Sequence, residues 1–355
     1  MIDPIFNMFK IKFDMLDSWS DLKGVKKARI FVNLENVLKV LYSPRLNEFI
    51  LTNGNTVDVK RCLVSNIINL AQHYRLYCAK YKIENEVFLY WNTASINYLN
   101  RQYIPDYRSY YNNKIYKNEC CSYLSRCMDD ILDQLRVIVS YVNQVYVITD
   151  DQIESGLIPY IFYRDQKDTN IKNIIVTNSK YEYQYILYGF DVWKPDRENS
   201  LRLTSENVID YLKEMNKIVS TDTVPINFLP FMISLLGDKY RNIPKLNRVG
   251  LASIIKMINQ GLKSYIITEN TTNIDMLAQC INENYRETFI NNYRCTSLPH
   301  QYEQMSGSIE RDIFNCVIDK YDDGALQYLN DKYFKEHLIM MIDTKREQIY
   351  KQMNE

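Results

Sequence analysis

The chain has 355 residues, with 43 Lys plus Arg against 43 Asp plus Glu, so no global basic field exists and any nucleic-acid partner must be held by a local patch. Its eight cysteines (Cys62, Cys78, Cys120, Cys121, Cys127, Cys280, Cys295 and Cys316) form no CxxC pair, and His73, His300 and His337 lie far from any such pair, which argues against a zinc site. No apolar run of membrane-spanning length and no signal-peptide pattern occurs, so the expected setting is a reducing cytoplasm, with the thiols buried or idle.

Residues 1–26 are mixed, with apolar Ile5, Phe6, Met8, Phe9, Ile11 and Phe13, and are expected to form an N-terminal extension or arm. The run Ala28–Asn33 is short, apolar and β-rich and reads as a buried strand leading into a helix start at Asn36. Apolar residues at helical spacing predict a helix over 57–80, followed by a strand at Glu86–Trp91. A longer helix is expected at about 118–142, from the stripe Leu124, Met128, Ile131, Leu135 and Ile138. Then come a strand at Val145–Ile148, a helix from Asp150 to about Phe162, a strand at Ile174–Thr177, a helix near 181–188 and a strand at Phe190–Trp193. From Leu203 onward the pattern is entirely helical.

Strands alternating with helices imply an α/β fold, with a twisted, mainly parallel sheet covered on both faces. The expected organisation is an extension over 1–26, an α/β domain over 27–202 and a helical part over 203–355, without a flexible linker at the seam. The Tyr and Met stripe at 330–341 (Tyr333, His337, Leu338, Met340, Met341) reads equally as core or as partner contact.

In an open parallel sheet, ligands bind beyond the carboxyl ends of the strands. The residues expected there are Asn33 with Glu35, Asn92, Asp150 with Asp151, Ser179 with Tyr181, and Asp191. A metal-dependent phosphodiesterase would carry carboxylates at nearly all of these places, because a pair of divalent ions roughly 3.5–4 Å apart needs several anionic oxygens. Most of the places here are neutral.

Four segments resemble the 5′-nuclease (flap endonuclease and 5′–3′ exonuclease) family over roughly 28–300. Ile30–Leu38 looks like its opening strand, with Asn33 where the family has Asp. Val87–Asn92 followed by Arg101–Arg108 is similar to its second strand and helical arch. Ile148–Ile153 is similar to its acidic helix start, with Ile148 in place of Glu, and Ile174–Gln184 to its next strand, with Ser179 and Tyr181 in place of two aspartates. Leu236–Pro244 with Val249, Gly250 and Ser253 resembles its helix–three-turn–helix, expected near 231–262, where Arg241 replaces an Asp, Arg248 a Gly and Ala252 a Lys.

The resemblance implies nine acidic positions: Asn33, Asn92, Ile148, Asp150, Asp151, Ser179, Tyr181, Asp238 and Arg241, of which three remain acids. It therefore implies a degenerate, non-catalytic member that needs no metal cofactor. Such a protein would bind branched or single-stranded DNA, or act as a structural or assembly component with protein partners, including virion components. A composition rich in Tyr, Asn and Ile suggests an AT-rich genome and fits a phage or other viral source. The alternatives are an active, divergent Mg- or Mn-dependent nuclease, with Asp150, Asp151 and Asp238 as metal candidates, and a pure protein-contact component. Asp150 and Asp151 are either remnant ligands or the cap of the following helix. Arg241 either clamps a phosphate with Asp238 or forms an internal ion pair with it. Glu35 and Glu182 either rebuild a one-metal site or are ordinary exposed glutamates. The DNA-binding candidates are Arg101, Arg108 and Lys114, interleaved with tyrosines, and Lys239, Lys245 and Arg248 with Lys256.

Overall fold

A computed structural model describes residues 24–37, 56–92, 99–108, 130–166, 168, 170–195, 201–219, 222–247, 249–262, 274–305, 307, 310, 311, 313 and 332–354. Lys114, Arg248 and most of the 1–26 extension lie outside them, as do Cys120, Cys121, Cys127 and Cys316.

Among the described residues six strands form one sheet, in the order β3-β2-β1-β4-β5-β6. They are β1 (Lys27–Asn33), β2 (Glu84–Asn92), β3 (Val145–Asp150), β4 (Ile171–Val176), β5 (Asp191–Lys194) and β6 (Leu201–Leu203). The first five run parallel. Only β6 is antiparallel, pairing Val192 with Leu203. Parallel strands buried on both faces read as continuous apolar runs, which is why five of the six are visible in the sequence. β6 is not: it is three residues long and ends at Leu203, and the elements described beyond it are helical, as expected.

Alternate side chains feed two cores. On one face Ile30, Val32, Val87, Leu89, Trp91, Val145 and Val147 pack under α1 (Thr56–Lys80), under α2 (helical over 130–139 of the described residues) and under α10 (Lys332–Asn354). In α10 Leu338 is core, Met341 packs against that core and Met340 is exposed. On the other face Phe31, Phe88, Tyr90, Ile148, Ile175 and Val192 meet α3 (Ile158–Asp165) and the 3-10 helix Lys180–Tyr188.

That second core continues without a break across residue 203, through α4 (Val208–Met215), α5 (Leu229–Leu236), α6 (Leu251–Met257), α7 (Ile274–Gln279), α8 (Glu283–Thr296) and α9 (Leu298–Gln304). The helical part is therefore fixed to the sheet by shared burial. α3 begins later than the sequence suggests. β3 runs on to Asp150, and a 3-10 turn at Ser155–Leu157 precedes Ile158, with Pro159 in the first helical turn, where its missing N–H costs nothing.

Between α5 and α6 the chain turns sharply. Asp238 and Ile243 exchange backbone hydrogen bonds of 3.0 and 2.9 Å around a 3-10 turn at Lys239–Arg241. Gly237 makes this possible: its φ is +63°, and a Cβ there would lie 2.6 Å from the Ile243 carbonyl oxygen. Only glycine meets both conditions.

Candidate functional site

The carboxyl ends of β1, β2, β3 and β4 lie side by side and place Asn33, Asn92, Asp150 and the Thr177–Ser179 turn along one edge. The Gly237–Ile243 turn brings Asp238 and Arg241 to the same edge, where Arg241 Nη1 donates to Ser179 Oγ at 3.1 Å. Residues separated by more than two hundred positions thus converge where an open sheet binds its ligands.

The centre of this cluster is Glu154, which the sequence reading did not single out. Its side chain is 1% exposed, and Asn92 Nδ2 donates to Oε1 at 3.4 Å. Tyr107 Oη donates to Oε2 at 2.8 Å and Arg108 Nε to the same oxygen at 3.0 Å. Arg108 Nη2 reaches Oε1, and Arg241 Nη2 stands 3.6 Å from that oxygen. Arg108 Nη1 also pairs with Glu35 Oε2 at 3.3 Å, and its backbone N–H donates to the Arg241 carbonyl at 3.0 Å.

Arg241 is 5% exposed and pairs with Asp238 Oδ2 at 2.6 Å, while its guanidinium lies 4.5 Å over the Tyr181 ring. The internal ion pair is therefore present. Burial alone would lower the pKa of Arg241, but Glu154 and Asp238 more than offset this and raise it. Burial alone would raise that of Glu154, yet Arg108 and Arg241 hold it below the ordinary carboxylate range.

Glu182 behaves differently. It is completely buried and accepts a 2.7 Å hydrogen bond from Asn33 Nδ2. Burial pushes its carboxyl up to about 7, against the lowering influences of the Thr177 hydroxyl, Arg241 and Asn33. Gly156 makes room for it, since a Cβ there would lie 2.9 Å from Glu182 Oε1.

Several expectations need correction. Glu35 and Glu182 are not exposed glutamates; both are buried and hydrogen-bonded. Arg108 is 4% exposed and committed to two glutamates, so it does not present its charge to solvent as a DNA-contacting arch residue would. Its conformation is left-handed, with φ 55°. Asp191 opens β5 at the opposite edge, where it pairs with Lys172 at 2.9 Å and Arg202 at 3.0 Å. Asp150 does not cap α3; its Oδ1 accepts from the N–H groups of Gln152 and Ile153 at 2.7 and 2.9 Å, closing the turn after β3.

The remaining candidates divide between core and surface. Ile148 is core, and Tyr181 is buried with its hydroxyl accepting from Gln301 Nε2 at 2.7 Å. Asp151 is exposed, and Arg101 donates to the Tyr107 carbonyl at 3.4 Å. Lys239, Lys245 and Lys256 are exposed around the α5–α6 turn. The buried thiols Cys78 and Cys295 are each pushed up to about 12 by burial, a condition of packing rather than reactivity. Among the described residues no group of three or more His, Cys, Asp and Glu side chains is arranged to hold a metal ion, and no helix is long and apolar enough to cross a membrane.

No family model matches the sequence. No curated protein matches it either. Among solved structures it is similar to a bacteriophage T5 D15 flap endonuclease pseudo-enzyme–product complex with DNA and metal ions, at 12% identity and a TM-score of 0.49, covering 89% of this chain and 99% of that one. It is similar to T5 D15 protein co-crystallized with metal ions, at 12% identity and a TM-score of 0.48 with the same coverage. A T5 5′-exonuclease with bound zinc matches at 10% identity and a TM-score of 0.45, over 89% of this chain and 99% of that one.

Proposed function

We propose that this chain is a 5′-nuclease-like protein whose buried arginines stand where catalytic metal would sit, and that it engages branched or single-stranded DNA without cutting it. The observation that carries this is the pairing of Arg108 and Arg241 with Glu154, Glu35 and Asp238 at the carboxyl edge of the sheet.

The convergence of the four nuclease-like segments supports the first half. They are far apart in sequence, and the resemblance requires Asn33, Asn92, Asp150, Ser179 and Arg241 to meet; they line one edge. The charge arrangement supports the second half. Divalent ions are held by carboxylate oxygens turned toward them. Here both oxygens of Glu154 accept from Arg108, Tyr107 and Asn92, and Arg241 takes up Asp238. A divalent ion entering this cluster would meet two guanidinium groups in a poorly screened interior, where like charges about 4 Å apart repel by roughly 4 kcal/mol at an effective dielectric near 20. These residues do not fit a two-metal centre, and no hydrolytic step is derived through one. The arginines do for the glutamates what a metal would: they neutralise buried carboxylates that would otherwise be costly.

Binding is assigned to the exposed lysines Lys239, Lys245 and Lys256 on the α5–α6 segment, which we read as a helix–three-turn–helix able to meet backbone phosphates. The test uses 5′-labelled flap, 5′-overhang and single-stranded DNA with Mg²⁺ or Mn²⁺. The expected result is a gel shift that weakens steeply with salt and cleavage no greater than that of an Asp150→Asn control. Metal-dependent cleavage lost in that control would establish the active-nuclease alternative. Neither shift nor cleavage would remove DNA from the account and leave a protein-contact role.

A further inference from the structure

The α5–α6 turn is backed by a small core of its own. Ile104, Tyr107, Ile243 and Cys295 are buried together, with Tyr103 packed against them. Ile243 closes the turn between Lys239 and Lys245, so the Leu99–Arg108 segment and α8 meet beside the lysines assigned to DNA. The segment is held there from two sides. Asn100 Nδ2 donates to Gln301 Oε1 at 3.1 Å and Gln102 Nε2 to Gln304 Oε1 at 2.8 Å, both on α9. At its other end the Arg108 N–H donates to the Arg241 carbonyl.

Around Tyr103 stand Arg294 from α8 and His300 from α9. The Arg294 guanidinium lies 5.2 Å over the Tyr103 ring, and the His300 ring is 6.2 Å from it. Gln304 is one turn beyond His300 on the same face of α9 and is bonded to Gln102, the neighbour of Tyr103. Each of the three half-buried side chains carries a nitrogen that has no hydrogen-bond partner among the described residues: Arg294 Nε, His300 Nε2 and Gln304 Nε2. Two are donors, and the imidazole nitrogen becomes one when it carries the ring proton. Unpaired buried donors cost free energy, so three of them round one ring mark a place that lacks an acceptor.

The charge of this place is set by Arg294, which forms no ion pair among the described residues. Burial, then Arg294, pushes the His300 imidazole below its ordinary range, and Glu303 raises it by less than Arg294 lowers it. The guanidinium therefore dominates the field at that ring. Three acids lie in the neighbourhood. Glu303 lines a cavity with Tyr160, Arg164 and Tyr302 against α3. Asp106 is exposed three residues after Tyr103, and Glu287 is exposed two turns before Arg294. Arg101, on the same segment as Asp106, adds a second guanidinium, whose Nε donates to the Tyr107 carbonyl.

We infer that Arg294, His300 and Gln304, gathered round Tyr103, bind one backbone phosphate of the DNA held by the α5–α6 segment. The inference rests on the DNA reading above and adds a contact to it. A phosphodiester supplies two anionic oxygens, acceptors that suit a guanidinium and two neutral donors. The ring of Tyr103 orients the guanidinium in advance, and half-burial strengthens its pairing relative to that of a fully solvated charge. Exposed lysines act as point charges that meet phosphates in many registers. Three donors fixed round one ring select a single phosphate and so set the position of the DNA on the protein.

The full chain is titrated with a single-stranded oligonucleotide, with a flap duplex and with inorganic phosphate while the histidine ring signals are followed by NMR. The chain has three histidines, and His300→Gln identifies the signal concerned. DNA should move the His300 signal over the concentrations that give the gel shift and leave that of His73, on α1, in place. Arg294→Gln should weaken binding about tenfold and lower the slope of log K against log salt by about one. Arg294→Lys should restore most of the slope, and Glu303→Gln, which removes the acid acting on His300, should tighten binding. DNA that binds without moving the His300 signal, or with the slope of Arg294→Gln unchanged, overturns the inference and leaves the DNA reading intact. Failure to bind DNA, with the His300 signal moved by inorganic phosphate alone, assigns the site to free phosphate and overturns both. Failure to bind either removes the site altogether.

Discussion

Replacing Arg241 by alanine removes the guanidinium that neutralises Asp238 at 2.6 Å, approaches Glu154 at 3.6 Å, donates to Ser179 and covers the Tyr181 ring. Breaking a buried ion pair from one side costs about 3–5 kcal/mol, because the remaining charge loses its partner in a poorly solvated place. Two features put the cost near the lower end: Arg108 still holds Glu154, and the Asp238 side chain is 18% exposed and gains water. The expected loss is therefore about 3 kcal/mol. Unfolding entropies near 2.1 cal/mol/K per residue, summed over the roughly 240 described residues, convert this to a Tm drop of about 6 °C. The assay is a thermal melt of the Arg241→Ala chain at pH 7.5 against Lys239→Ala, a surface change expected to stay within about 0.5 kcal/mol of the unaltered chain. Adding Asp238→Asn to Arg241→Ala should recover part of the loss, since the orphaned charge goes with it. A melt of Arg241→Ala indistinguishable from that of Lys239→Ala would refute the reasoning that the pair is buried and costly to break.

Glu182, with its carboxyl near 7 in the folded chain against an ordinary 4.5, favours the fold most below pH 4.5, and this contribution is lost as the pH rises through 7. Glu182→Gln keeps an acceptor for Asn33 and carries no charge, so it should flatten the stability profile between pH 5 and 8 and gain on the unaltered chain at pH 8, measured by urea unfolding. Gly237→Ala forces a side chain into left-handed backbone and against the Ile243 carbonyl, and should cost about 1–3 kcal/mol in the same unfolding experiment. Lys245→Glu and Lys256→Glu should weaken DNA binding uniformly across sequences, and each should lower the slope of log K against log salt by about one if it meets a phosphate.

The sheet was legible because its parallel strands are buried on both faces and read as apolar runs, and the site's edge was legible because ligand positions follow from where those runs end. The site's content was less so. Asn33, Asn92, Asp150 and Ser179 follow strand ends and were found that way. Glu154 lies beyond a strand end, inside a turn, and its burial depends on Arg108 and Arg241, 46 and 87 positions away. Nothing local in the sequence marks Arg108 as inward-facing; its backbone is left-handed and its N–H donates to the Arg241 carbonyl, a partner far along the chain. The burial of Glu35 and Glu182 likewise reflects tertiary neighbours rather than spacing. The ion pair of Asp238 with Arg241 was foreseeable because it is local, three residues apart around one turn. A three-residue antiparallel strand such as β6 carries too few side chains for any periodicity to register.

The central claim is that arginines, not metal ions, balance the carboxylates at the sheet's edge. Crystals soaked in Mn²⁺ and measured for anomalous scattering test it at the atoms concerned. The account predicts no manganese peak among Glu35, Glu154, Glu182 and Asp238, with the guanidinium of Arg241 seated between Asp238 and Glu154. A manganese ion bound there, with Arg241 swung away, would contradict it.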